Sequence, residues 1–148
     1  MNELQDLYRE VILDHNRHPR NFGPLDDADR VVKGVNPLCG DKITLYLKLD
    51  GDRIADIHFE GTGCAISVAS SSLMTERVKG SNIESTLDLF DQVHEMLTNS
   101  ASEPGEEMEK LAALAGVREY PSRVKCASLA WHALKEALTG TDAKISTE

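Results

Sequence analysis

The sequence predicts an α+β fold in a single domain over residues 1–148, a small three-stranded antiparallel sheet with several helices packed on one face. Three observations carry this. Residues 42–50 alternate strictly, with Ile43, Leu45, Leu47 and Leu49 on one face and Lys42, Thr44, Tyr46 and Lys48 on the other. The turn signal Asp50-Gly51-Asp52 follows and leads into a return strand over residues 54–60. From Ala65 onward the apolar period changes from two to that of a helix, so strands come first and helices after.

Each element follows from local pattern. Leu4, Leu7, Tyr8, Val11 and Ile12 recur at helical spacing, which predicts an amphipathic helix over about the first sixteen residues, ending before Pro19. Residues 16–29 read as loop, and Val31, Val32 and Val35 as a short first strand. In the return strand Ala55, Ile57 and Phe59 are expected inward. Ala65, Ala69, Leu73 and Val78 mark the next helix, although Ser70-Ser71-Ser72 is a poor helix former, so close packing is expected there. Ser81 with Glu84 forms a capping box for a helix carrying Ile83, Leu87, Phe90 and Leu97. Residues 99–105 break it, and a short helix over 108–115 stops at Gly116. A last helix carries Ala127, Ala130, Trp131, Leu134 and Leu138 before Gly140, and residues 141–148 read as a frayed tail.

Composition excludes several function classes. With 16 basic against 25 acidic side chains the net charge is −9, which argues against nucleic-acid or anionic-membrane binding. Residues 81–120 contribute nine acidic and two basic residues, so the acidity is concentrated there. No apolar run approaches the roughly 18 residues of a membrane span, and the start lacks a signal-peptide pattern, so a cytoplasmic location is expected. Three cysteines in such a compartment are not a disulfide framework.

Each cysteine borders punctuation: Cys39 before Gly40-Asp41, Cys64 after Gly61-Thr62-Gly63, and Cys126 after Lys125. Gly40 lets the backbone fold tightly, so that Cys39 and Asp41 can face one centre. Three thiols and one carboxylate make four ligands, which suits tetrahedral Zn²⁺ or an iron site. An oxygen ligand is the more easily displaced from a thiophilic metal, so one position would be open to exchange. A free cysteine is by default a small buried hydrophobe, but flanking glycines, Asp41 and Lys125 argue against thiols sunk in a core.

Other candidates are weaker. Gly61-x-Gly63 lacks the third glycine of a dinucleotide fingerprint and the Lys-Ser/Thr of a P-loop. His132 lies about 240° round the last helix from Cys126 and reads as surface or half-buried. His58 and His94 read as structural or solvated, and His15 and His18 as an exposed helix-end pair.

On these residues the chain resembles the Fe–S cluster assembly scaffold family of the IscU and NifU N-terminal type, most closely its SufU-type branch. The matching blocks are Leu7-Tyr8 through His15, Pro19-Arg20-Asn21, Asn36-Pro37-x-Cys39-Gly40-Asp41, Phe59-Glu60-Gly61-x-Gly63-Cys64-Ala65-Ile66-Ser67 and Arg123-Val124-Lys125-Cys126-Ala127 with Leu129-Ala130-Trp131. Lys125 stands where scaffold members carry a histidine, and the stretch between Cys64 and Cys126 is long, as in SufU-type proteins. The resemblance implies an IscU/SufU-like fold and zinc held by Cys39, Asp41, Cys64 and Cys126. It also implies a sulfurtransferase whose Cys39 accepts persulfide sulfur from a SufS-type cysteine desulfurase and passes it to Fe–S assembly or acceptor proteins. Asp41 is then the exchangeable ligand and Lys125 an accessory that steadies anionic sulfur, with a solvated lysine as an equal reading. The alternatives are a non-catalytic scaffold for a [2Fe–2S] cluster, which Lys125 disfavours, and a structural-zinc adaptor, which Asp41 disfavours.

Overall fold

A computed structural model describes residues 3–37, 40–99, 106–139 and 144–146. The order is α1 (Glu3–Arg17), β1 (Arg30–Asn36), β2 (Asp41–Asp50), β3 (Arg53–Thr62), α2 (Ala65–Val78), α3 (Ile83–Thr98), a 3₁₀ segment (Glu106–Glu119), α4 (Pro121–Thr139) and β4 (Lys144–Ser146). The three expected strands form the antiparallel sheet. Beyond the expectation, β4 pairs parallel with β1, giving the order β3-β2-β1-β4. Part of the tail expected to fray is therefore a strand: its backbone covers the edge of β1, which would otherwise present unpaired amides and carbonyls.

The inner face of the sheet carries Val32, Ile43, Leu45, Leu47, Ile54, Ile57 and Phe59, all buried. Ala55 is not among them. The register shifts after Lys48, so that Lys48 faces Asp56 while Leu49 faces Ile54, and Ala55 is the extra residue of a β-bulge, turned to solvent. Helices α2 and α4 cover the inner face, with Trp131 and Leu134 of α4 and Leu73 and Met74 of α2 almost wholly buried. The small side chains of α2 allow that approach, because Ser70 Oγ reaches across to donate to the Ala127 carbonyl oxygen at 2.5 Å. Among the described residues, no helix is long and apolar enough to cross a membrane.

Other local expectations are corrected. Asn82, not Ser81, caps α3: its side chain accepts from the Ser85 amide at 2.7 Å. The segment expected to stop at Gly116 runs on through it to Glu119 and is 3₁₀ rather than α. His15 is not an exposed helix-end residue. It is 1% exposed, with Nδ1 at 2.7 Å from Ser72 Oγ on α2, a partner 57 positions away that no local pattern reveals. His132 is half-buried as expected and meets Phe90 and the exposed His94.

Candidate metal centre

The site lies at one end of the sheet, where β2 begins, β3 ends and two helices start. Asp41 is the first residue of β2, paired in register with Asn36, the last of β1, and both are fully buried. After β3, Gly63 leads into Cys64, which is the N-cap of α2 in extended conformation (φ −71°, ψ 166°). Cys126 sits in the second turn of α4.

Asp41 ties two of these elements together. Its Oδ1 accepts from the Cys64 amide at 2.9 Å, satisfying one of the donors a helix start leaves unpaired and placing a carboxylate at the favourable end of the α2 dipole. Gly63 is required by the same contact: a Cβ at that position would overlap the Asp41 carboxylate. The other oxygen, Asp41 Oδ2, is buried with no hydrogen-bond partner.

The ligand atoms of Asp41, Cys64 and Cys126 all lie within 4.8 Å of one another. Among the described residues they are the one group of three or more such side chains so arranged. Two soft sulfurs and one carboxylate, whose Oδ2 is buried and orphaned, make a donor set that fits zinc or another thiophilic cation. Cys39, the fourth ligand expected, lies outside the described residues. Gly40 beside it takes a left-handed φ of 71°, which glycine adopts without steric cost.

The two described thiols differ in access. Cys64 is half-buried, whereas Cys126 is 0% exposed, contrary to the expectation drawn from its flanking residues. The turn of α4 explains this: Cys126 falls on the inward side with Ala127, Ala130 and Trp131, while Lys125 next to it is half-buried.

Two neighbours escaped the sequence reading as functional residues. The Asn36 amide nitrogen lies 3.7 Å from Cys126 Sγ. Arg123, one turn before Cys126, is held protonated even more firmly than an ordinary arginine, first by the charge of Cys64 and its hydrogen bond, then by Cys126. The guanidinium is thus a cation beside both sulfurs, where the sequence offered Lys125 as an accessory with a solvated lysine as an equal reading. Its spacing of three from Cys126, with a basic side chain, was the available signal.

Comparison with known proteins follows the same pattern. The NifU-like N terminal domain profile matches residues 7–146. The zinc-dependent sulfurtransferase SufU of Bacillus subtilis is 44% identical over 135 residues, 91% of each chain. The iron–sulfur cluster assembly scaffold protein IscU of Streptococcus pyogenes is 44% identical over 138 residues, covering 93% of this chain and 86% of that one. A crystal structure of a putative iron–sulfur cluster assembly scaffold protein for the SUF system from Fervidobacterium islandicum superposes with a TM-score of 0.80 at 36% identity, covering 88% of this chain and 95% of that one. The chain belongs to the NifU-like N-terminal domain family, which includes the IscU and SufU proteins.

Proposed function

We propose that the protein is a zinc-dependent sulfurtransferase of iron–sulfur cluster assembly. It takes persulfide sulfur from a cysteine desulfurase onto Cys39 and passes it to assembly or acceptor proteins. The observation that carries this reading is the convergence of Asp41, Cys64 and Cys126 within 4.8 Å, with one Asp41 oxygen left without a partner. Cys39, two residues before Asp41, completes a four-ligand set. Lys125, in place of a histidine before the third cysteine, supports sulfur transfer over cluster holding.

Bound zinc would keep the coordinating thiols as thiolates at neutral pH. The residues divide the remaining work. Cys126, wholly buried, serves as a fixed anchor, and Cys64 as a second one at the helix start. Asp41 would be the hard, exchangeable ligand, and the bond its Oδ1 accepts from the Cys64 amide would hold the carboxylate in place whether or not it ligates. Cys39 as a thiolate attacks the outer sulfur of the donor's cysteine persulfide. A new S–S bond forms on Cys39, the donor's S–S bond breaks, and the electron pair leaves with the donor cysteine as its thiolate. Arg123 stabilises anionic sulfur at the centre.

A second reading, a scaffold on which a [2Fe–2S] cluster is built, is favoured by the equal identity to the Streptococcus pyogenes protein named as a scaffold. Metal content and product separate the two. Purified protein with one zinc, gaining one sulfur from desulfurase and cysteine, supports sulfur transfer. A stable, transferable cluster formed anaerobically from iron and sulfide, with no sulfur gained on Cys39, supports the scaffold.

A further inference from the structure

Asn36 is an anomaly on the inner face of the sheet. On that face it stands opposite Asp41 and beside Gly34 and Ile43, and it is an amide with no exposure at all. Its Oδ1 has no hydrogen-bond partner, and its Nδ2 points to Cys126 Sγ at 3.7 Å. Backbone pairing alone does not ask for an amide, since any residue that fits a strand end can pair with Asp41. What this side chain adds is an N–H aimed at one sulfur. A thiolate can only accept hydrogen bonds, so the amide must present its nitrogen, and it does.

We propose that Asn36 is a positioning residue: it donates to the Cys126 sulfur, orients it, and draws off the electron density that would make it a nucleophile or an exchangeable ligand. The inference rests on the metal-centre reading above and deepens it. Two described features and one general rule agree. Cys126 is the fully buried thiol and Cys64 the more accessible one. The register Asn36 to Asp41 fixes the donor on the same strand pair that carries the carboxylate ligand. Groups hydrogen-bonded to ligating atoms orient them and tune the metal, and their loss typically lowers metal affinity by about 10–100-fold. Sulfur transfer is thereby kept off Cys126.

Cobalt(II) as the probe metal tests this on the full chain, because sulfur-to-cobalt charge transfer reports the electron density on the ligating sulfurs. Parent, Asn36→Leu and Asn36→Ser proteins are titrated with cobalt. The energy of the charge-transfer band, the affinity against a competing chelator and the melting temperature of the metal-free protein are then measured. Leucine has no donor, and serine, which keeps polarity in case leucine impairs folding, is too short to reach the sulfur. Both variants are expected to bind one equivalent with the band shifted to lower energy and affinity lowered roughly 10–100-fold. A band and affinity unchanged from the parent in either folded variant overturn the role of Asn36. A parent protein that binds no cobalt through sulfur overturns the metal centre itself, and the inference with it.

Discussion

One oxygen of Asp41 is bonded to the Cys64 amide at 2.9 Å while the other is buried without a partner, so a single carboxylate both starts α2 and presents a free ligand atom beside two thiols. The two duties are separable by substitution. Asp41→Asn keeps an acceptor for the Cys64 amide and is expected to fold with little change in melting temperature while binding zinc more weakly. Asp41→Ala loses both and is expected to lose about 1.5–3 kcal/mol, the range for a hydrogen bond to a charged group, while remaining folded. Thermal melts and zinc competition check both; global unfolding of Asp41→Asn would point to a structural duty instead.

Gly63 should resist replacement because of the carboxylate beside it. Gly63→Ala drives a Cβ into the Asp41 carboxylate. The expected result is a loss of about 1–3 kcal/mol, as for overpacking elsewhere, together with weakened zinc binding. Ala at Gly116, where a Cβ meets nothing, is the control and should leave zinc binding unchanged. Chemical denaturation and zinc competition measure both.

Stability should fall in mild acid. Burial, with the charge of Arg20 next, lowers the pKa of His15, and burial, with His94 next, lowers that of His132. Unfolding restores each to about 6.5, so below that pH the unfolded chain binds more protons than the folded one. The stabilisation is therefore complete above about pH 6.5 and declines as pH falls toward the depressed folded values, by up to about 1.4 kcal/mol per pH unit for each histidine. Denaturant midpoints measured from pH 7.5 to 5 should drop, and His15→Asn should flatten the slope. A midpoint constant across that range would count against the buried neutral histidines.

Arg123 should matter more than Lys125. The exposed guanidinium lies beside both described thiols, so Arg123→Leu should slow sulfur uptake measurably at unchanged zinc content, and by more than Lys125→Ala does. Lys125→Ala should change the rate by less than about 2-fold, the scale of a half-buried charge that still reaches solvent. Single-turnover uptake from a desulfurase, followed by mass spectrometry, compares the two; equal effects would return the accessory role to Lys125.

Much of this was legible in the sequence because it depends on short-range pattern. The alternation from Ile43 to Leu49 and the Asp50-Gly51-Asp52 turn specify β2 and β3, and the Cys39-Gly40-Asp41 and Gly63-Cys64 blocks mark the ends where ligands gather. What was hidden depends on distant partners. The bulge at Ala55 appears only in the register against Lys48 and Leu49. His15 is buried because Ser72 stands across from it, and Cys126 because α4 turns that side against the sheet and α2. Asn36 looked like one letter of a motif until β1 was paired with β2, which brings it opposite Asp41, and α4 was packed on the sheet, which brings Cys126 to its amide. The fourth ligand position, Cys39, rests on the sequence alone.

The central claim is that Cys39 receives sulfur, and peptide mass spectrometry tests it directly. Zinc-loaded protein is incubated with a competent cysteine desulfurase and cysteine, alkylated and digested. The expected result is one additional sulfur on the peptide bearing Cys39, absent from Cys39→Ala protein and from a control without desulfurase. Stoichiometric zinc with no sulfur on Cys39, while the desulfurase turns over, would contradict the claim.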